Sequence, residues 1–173
     1  MDKLSQVILY ILQKKPEGYS RLDLARLIYY SDGVHFQKHA KIISGQLFIH
    51  MEDVPLPVDL DKTIMKMKKE GLIDVKPEIL DGNLKGFLIF STGKEAVSMI
   101  KEERRIIKKV LEAFKRGVYD ESKQYPNLYE NYVITALYSQ IPFSVDTLNT
   151  KIHFFKKKSL LELSGKIFRI FFN

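Results

Sequence analysis

The sequence contains no cysteine and no tryptophan. Without cysteine the chain can build no disulfide framework, no thiolate metal site and no cysteine nucleophile, and nothing in it calls for an oxidising compartment. Long apolar runs are also scarce. The apolar stretch near the N-terminus, Val7 to Leu12, covers only about six residues and is followed by charge, so neither a signal peptide nor a membrane span is expected. The expected location is the cytoplasm. Catalytic signatures are missing as well: there is no GxSxG elbow, no phosphate-cradling GxxxxGK(S/T), no HExxH and no CxxC. The common hydrolase, phosphoryl-transfer and metalloprotease constellations therefore fail their minimal residue test, and the chain reads as non-enzymatic, with no cofactor.

What is present is ordinary globular material. The 173 residues are 45% hydrophobic and 28% charged, enough for one domain of moderate size or two small ones sharing a core. The net charge is +7, and it is unevenly placed. Residues 1–60 carry seven basic and seven acidic side chains, residues 61–117 fourteen and nine, and residues 118–173 seven and five. A basic middle suits nucleic acid or an acidic protein partner, and it is equally what a lysine-rich solvated helix looks like.

The hydrophobic pattern predicts a mainly helical α+β chain. Leu4, Val7, Ile8, Ile11 and Leu12 recur at helical spacing up to Pro16-Glu17-Gly18. Ser20 is a plausible cap for a second helix through Tyr29, Tyr30 and Asp32 toward Phe36. Val54-Pro55-Leu56-Pro57 cannot be helical and reads as a rigid extended connector. Asp59 or Asp61 then caps a third helix that Gly71 closes, followed by strands at Leu72–Val75 and Leu84–Phe90 around an Asp81-Gly82-Asn83 turn. Thr92 and Glu95 have capping-box spacing for a long helix of about 24 residues ending near Gly117. Leu128–Ser139 reads as another helix, broken by Pro142. A last helix from Asp146 to about Lys158 leads into a hairpin, LLEL and KIFRIFF, around Ser164-Gly165.

Residues 64–75, IMKMKKEGLIDV, are echoed at residues 152–163, IHFFKKKSLLEL, and YYSD at 29–32 is echoed by LYSQ at 137–140. The chain thus divides into two helix–helix–helix–hairpin units that suggest an internal repeat. One covers residues 1–91 with an inserted segment at 33–59, the other residues 92–173, and the two could pack as one domain. This order resembles winged-helix DNA-binding domains, whose third helix enters the major groove. On that reading Lys66, Lys68, Lys69 and Lys85, and in the second unit Lys156, Lys157 and Lys158, would contact phosphate. The helix at 64–70 offers no Arg, Asn or Gln to read a base edge, so only non-specific DNA binding is expected of it.

A second resemblance covers more of the chain. Leu24 to Pro57, LARLIYYSDGVHFQKHAKIISGQLFIHMEDVPLP, resembles the signature of the Panacea domain, the SocA-like antitoxin family. The family's helix ending in Leu-Tyr-hydrophobic-Asp, its following His, its Gly before a strand and its Gly-Pro-Val-Pro turn fall on Leu27, Tyr29 or Tyr30, Asp32, His35, Gly45 and Pro55-Leu56-Pro57. Val54 stands where the turn glycine is expected. Leu137 to Phe143 keeps the spacing of the family's Thr-His and Pro-Trp motif with the Thr, His and Trp replaced. The resemblance implies a non-catalytic protein that binds a partner by direct contact, a toxin encoded nearby or a protein delivered by an adaptor. Its partner-binding residues would be Tyr29, Tyr30, Asp32, His35, Phe36, Phe48, Pro55 and Pro57.

Other candidates carry blander explanations. Asp32, His35 and His39 share a helical face if the helix survives Gly33, and two imidazoles one turn apart can chelate a metal. The lysines at 38 and 41 would repel a cation, and Asp32 fits better as an acceptor for backbone near Ser44-Gly45; no metal is expected. Nine tyrosines and eleven phenylalanines supply interface-type side chains, most of which belong in a core. The apolar end, Ile167 to Phe172, is expected to pack into a sheet, with pairing to a second subunit in a dimer as its other use.

Overall fold

A computed structural model of the chain describes residues 1–80, 83–93, 99–115 and 120–143. In order these form α1 (Lys3–Leu12), β1 (Tyr19–Ser20), α2 (Arg21–His39), β2 (Phe48–His50), β3 (Pro55–Pro57), α3 (Leu60–Lys69), β4 (Ile73–Leu80), β5 (Asn83–Ser91), α4 (Lys101–Phe114), α5 (Glu121–Gln124), α6 (Pro126–Ile134) and β6 (Gln140–Ile141). The fold is α+β and mainly helical, as the pattern predicts.

The first unit keeps the expected order of helices followed by a two-stranded wing. α1, β1, α2, α3 and the β4–β5 hairpin follow in that order, and the antiparallel sheet runs β1-β5-β4. Local chemistry starts each helix. Asp2 accepts from the Ser5 amide at 2.8 Å, and Ser20 accepts from the Asp23 amide at 3.1 Å, each supplying a partner for an amide the helix cannot satisfy itself. Asp59 stands at the start of α3 without a side-chain cap bond, and Gly71, at φ +66°, ends that helix. Gly18, at φ +82°, lets the chain enter β1 against β5; a Cβ there would lie 2.6 Å from the Ile89 carbonyl. The two-residue β1 has no pattern of its own and exists only through pairing with Leu88 and Ile89. The wing strands are longer than their apolar cores suggest, and Pro77 is tolerated because β4 is an edge strand.

The insertion begins later than expected. α2 runs through Gly33 and past Phe36 to His39, and Ala40 in the left-handed region (φ 50°) ends it. Gly33 is there for close approach: a Cβ would lie 2.5 Å from Leu128 Cδ1 of α6. Residues 40–59 then carry β2 and β3. The Pro55-Leu56-Pro57 run is itself a strand, paired to β2 in a second sheet of order β3-β2-β6. Its prolines sit on the edge, where a missing amide donor breaks no inner ladder.

Further expectations are corrected or fall outside the described residues. The Thr92 hydroxyl donates to the carbonyls of Gly71 (2.7 Å) and Leu72 (2.8 Å), tying the end of the wing to the end of α3, and Glu95, the other half of the expected capping box, lies outside the described residues. α4 has 14 residues rather than about 24, starting at Lys101, where Glu103 accepts from the Ile100 amide at 3.1 Å and from Lys3. α6 stops at Ile134, not Ser139, and the chain turns through Tyr138 (φ 63°) into β6. The last expected helix and hairpin, with Lys156, Lys157, Lys158 and the strand at 167–172, lie outside the described residues. The repeat is accordingly not visible. One core runs from Leu4 through Tyr29, Tyr30, Phe48, Met67 and Ile107 to Ile141, so the described parts of both expected units share an interior.

Candidate functional site

α2 is the axis of the site. Most of its side chains from Leu24 to His35 are buried, and three of the polar ones are turned to fastening the inserted segment. Asp32, with no exposure, accepts from the amides of Ile43 and Ser44, each at 2.9 Å, and bonds the Ser44 hydroxyl through its other oxygen. Burial pushes its carboxyl up to about 6, against the opposing pull of those hydrogen bonds and of His35. His35 Nδ1 lies 2.5 Å from the Lys41 carbonyl. Further back along the same helix, Arg26 donates to the Asp53 carbonyl at 2.9 Å. The insertion therefore runs back along α2, with each end pinned to it.

The opposite side of the hairpin is fastened to α6 and β6. Tyr132 donates to the Met51 carbonyl at 2.7 Å, and His50 Nδ1 lies 2.5 Å from the Thr135 carbonyl. The His50 amide donates to the Ser139 carbonyl at 2.9 Å, and the Tyr138 amide donates back to the His50 carbonyl at 2.7 Å. Burial pushes the Tyr132 hydroxyl up to about 12. A short hairpin is marginal alone; here it is held on both faces.

These placements correct the expected contact residues. Tyr29, Tyr30, Asp32 and Phe48 have no exposed surface, and Pro55 and Pro57 are buried with them; a side chain without accessible surface touches no partner. Tyr29 donates to the Leu128 carbonyl at 2.8 Å, and Tyr30 to Glu121 Oε2 at 2.9 Å. His35 is also buried, leaving Phe36 as the half-buried member of the set. The segment supports a surface from beneath.

That surface is a groove of about 470 Å³ between the end of α2, the start of β2 and β6. Its apolar lining includes Phe36, Leu47, Ile141 and Phe143, with Lys41, Gln46 and Gln140 also contributing. Leu47 is 57% exposed. Phe143 lies 5.8 Å from the ring of Phe36, 5.5 Å from Phe48 and 5.4 Å from Tyr29, so the groove floor is an aromatic cluster. Leu47 and Lys41 carry no motif that marks them in the sequence, and Phe143 is marked only by holding the position of the family's tryptophan. A larger cleft of about 830 Å³ near the start of α2 is lined by mixed charge, including Lys14, Lys15, Asp23 and Lys115. There Arg26 is paired with Glu121 at 3.3 Å and Asp23 at 3.7 Å, so its charges largely answer one another.

The histidine cluster is taken up structurally. Both Asp32 oxygens and His35 Nδ1 have partners, and the His39 ring lies 4.6 Å from that of His35, tilted by 41°, with Glu102 3.6 Å away. Among the described residues no group of three or more His, Cys, Asp or Glu is placed to hold a metal ion.

The lysine face is real. On α3, Leu60, Thr63 and Met67 are buried while Lys62, Met65, Lys66 and Lys69 form an exposed stripe at helical spacing, with Lys68 also exposed. Lys66 lies 3.2 Å from Asp2, and Arg21 grips Asp61 through two bonds of 2.5 and 2.7 Å. Lys85 lies on β5. No protein-family model, characterised protein or solved structure matches this chain.

Proposed function

We propose that the chain is a non-catalytic, cytoplasmic regulatory module that binds a protein partner by direct contact, in the manner the Panacea-like resemblance implies for antitoxins and adaptors. The observation that supports this is the pinned insertion: a hairpin fastened to α2 and α6 at both ends holds an apolar groove in a fixed shape, and preorganisation lowers the cost of binding. Asp32, the most deeply buried carboxylate described, is engaged with backbone and a hydroxyl rather than aimed at a ligand. No helix among the described residues is long and apolar enough to cross a membrane. The test is co-expression with the product of the adjacent gene. Growth arrest by that product, relieved by this chain through a stable complex, is expected; a harmless neighbour that forms no complex would count against the reading.

A second reading rests on a different observation, the β1-β5-β4 winged-helix sheet with a lysine stripe on α3. It makes the chain a regulator that lies on DNA without reading sequence. Lysine ammonium groups position a protein on phosphate, while base edges are read chiefly by Arg, Asn and Gln, which α3 lacks.

A further inference from the structure

The groove beside Leu47 has a chemical signature that narrows its ligand. No aspartate or glutamate lines it. Lys41 borders it, and the Lys41 ammonium has no carboxylate partner among the described residues. Lys38 is exposed on the last turn of α2. Glu102, held by Arg105 through bonds of 2.7 and 2.8 Å, also offsets the Lys38 charge, so Lys41 is the cation the groove itself presents. Lining the groove with Lys41 are Leu47, more than half exposed, and the half-buried rings of Phe36 and Phe143. An apolar pocket with a basic rim favours an apolar anchor in an acidic context.

We propose that this groove takes a partner's segment that places one large apolar side chain against Phe36, Leu47 and Phe143 and carries a carboxylate that meets Lys41. The proposal rests on the protein-binding reading above and names the chemistry of that partner. Charge decides among the occupants. The chain's own residues 144–173 hold six basic side chains against two acidic, and a second copy brings the same lysine, so both are repelled by Lys41, which attracts an acidic segment.

The test uses the full chain and a fluorescein-labelled decapeptide with a central leucine–phenylalanine pair flanked by glutamates, titrated by fluorescence anisotropy. Binding is expected, with a loss of about tenfold on Leu47→Ser, on replacing the apolar pair by serines, or on Lys41→Glu. Lys41→Glu should instead prefer a lysine-flanked peptide. Both positions are exposed, and unchanged thermal unfolding of the variants excludes a folding defect. Failure of the wild type to bind, equal binding of the serine control, or indifference to Lys41→Glu would overturn the proposal. So would self-association that Leu47→Ser abolishes, which would make a second copy the occupant. If the adjacent gene's product binds wild type, Leu47→Ser and Lys41→Glu alike, the groove proposal falls and the protein-binding reading stands. If it binds none of them, the reading falls too.

Discussion

Gly33 of α2 and Leu128 of α6 meet with no room for a methyl group between them, since a Cβ on Gly33 would lie 2.5 Å from Leu128 Cδ1. This contact sets how closely α6 lies on α2, and α6 carries Tyr132, which holds the insertion. Gly33→Ala gains helix propensity but must push the leucine aside. Unfolding in urea should show a net loss of about 1–3 kcal/mol, and the companion change Leu128→Ala should make Gly33→Ala close to neutral. Additive losses in the double variant would contradict the contact.

Asp32 answers two buried amides and a hydroxyl, so Asp32→Ala strands all three. A loss of about 3 kcal/mol or more is expected. Asp32→Asn keeps an oxygen for the amides of Ile43 and Ser44 and should cost less. A loss no larger than that of an exposed substitution would show that the turn stands without its acceptor.

The same carboxyl gives a pH signature. Its folded value of about 6 stands above the ordinary 3.8, so the folded state binds this proton more tightly than the unfolded chain does. Its stability contribution is therefore full below about pH 4 and is lost as pH rises toward 6. Other carboxylates run the opposite way, as where Arg21 holds Asp61 low. The comparison that isolates Asp32 is wild type minus Asp32→Asn: the difference should fall between about pH 4 and 6 and level off above. A flat difference would contradict the buried carboxylate.

Arg26 ties the far end of the insertion through the Asp53 carbonyl. Arg26→Ala should cost about 1 kcal/mol, the worth of a partly exposed charged bond. Its sharper readout is amide exchange: the Met51 amide, bonded to the Val54 carbonyl at 3.1 Å, should exchange faster while α1 amides are unchanged. Uniform acceleration would point to global destabilisation instead.

Much of this architecture is legible in the amino-acid sequence, and the remainder has a common physical cause. Ser20, the apolar spacing of α1, Gly71 and the wing act within a few residues of themselves, so their patterns are local. The bond from Asp32 to the Ser44-Gly45 turn is legible for the same reason, twelve residues being a short reach. β1 is not legible, because Tyr19 and Ser20 are a strand only in the presence of Leu88 and Ile89. Gly33 marks the start of the expected insertion in the sequence, and its actual role depends on Leu128, far along the chain. The bonds of the Thr92 hydroxyl to the carbonyls at the end of α3 are not legible either, because they span some twenty residues. The candidate site shows the same limit. Tyr29, Tyr30 and Phe48 have interface chemistry, and packing against distant residues such as Leu128, Phe114, Tyr125 and Phe143 makes them interior. Leu47 and Lys41 are unremarkable in sequence and become a groove through β6.

The lysine stripe of α3 is testable apart from the groove. If the chain lies on duplex DNA, its affinity should fall by orders of magnitude between low and physiological salt. Lys66→Ala with Lys69→Ala should then lower the slope of log affinity against log salt by about 2. No binding at low salt would remove the DNA reading.

The central claim is that a pinned, preformed face binds a protein partner. Isothermal titration of the full chain with the purified product of the adjacent gene tests it most directly. The account predicts a stoichiometric complex whose affinity drops with Leu47→Ser and Lys41→Glu while growth arrest by the product is relieved only by chains that bind. No heat, no complex and no relief of arrest would contradict it.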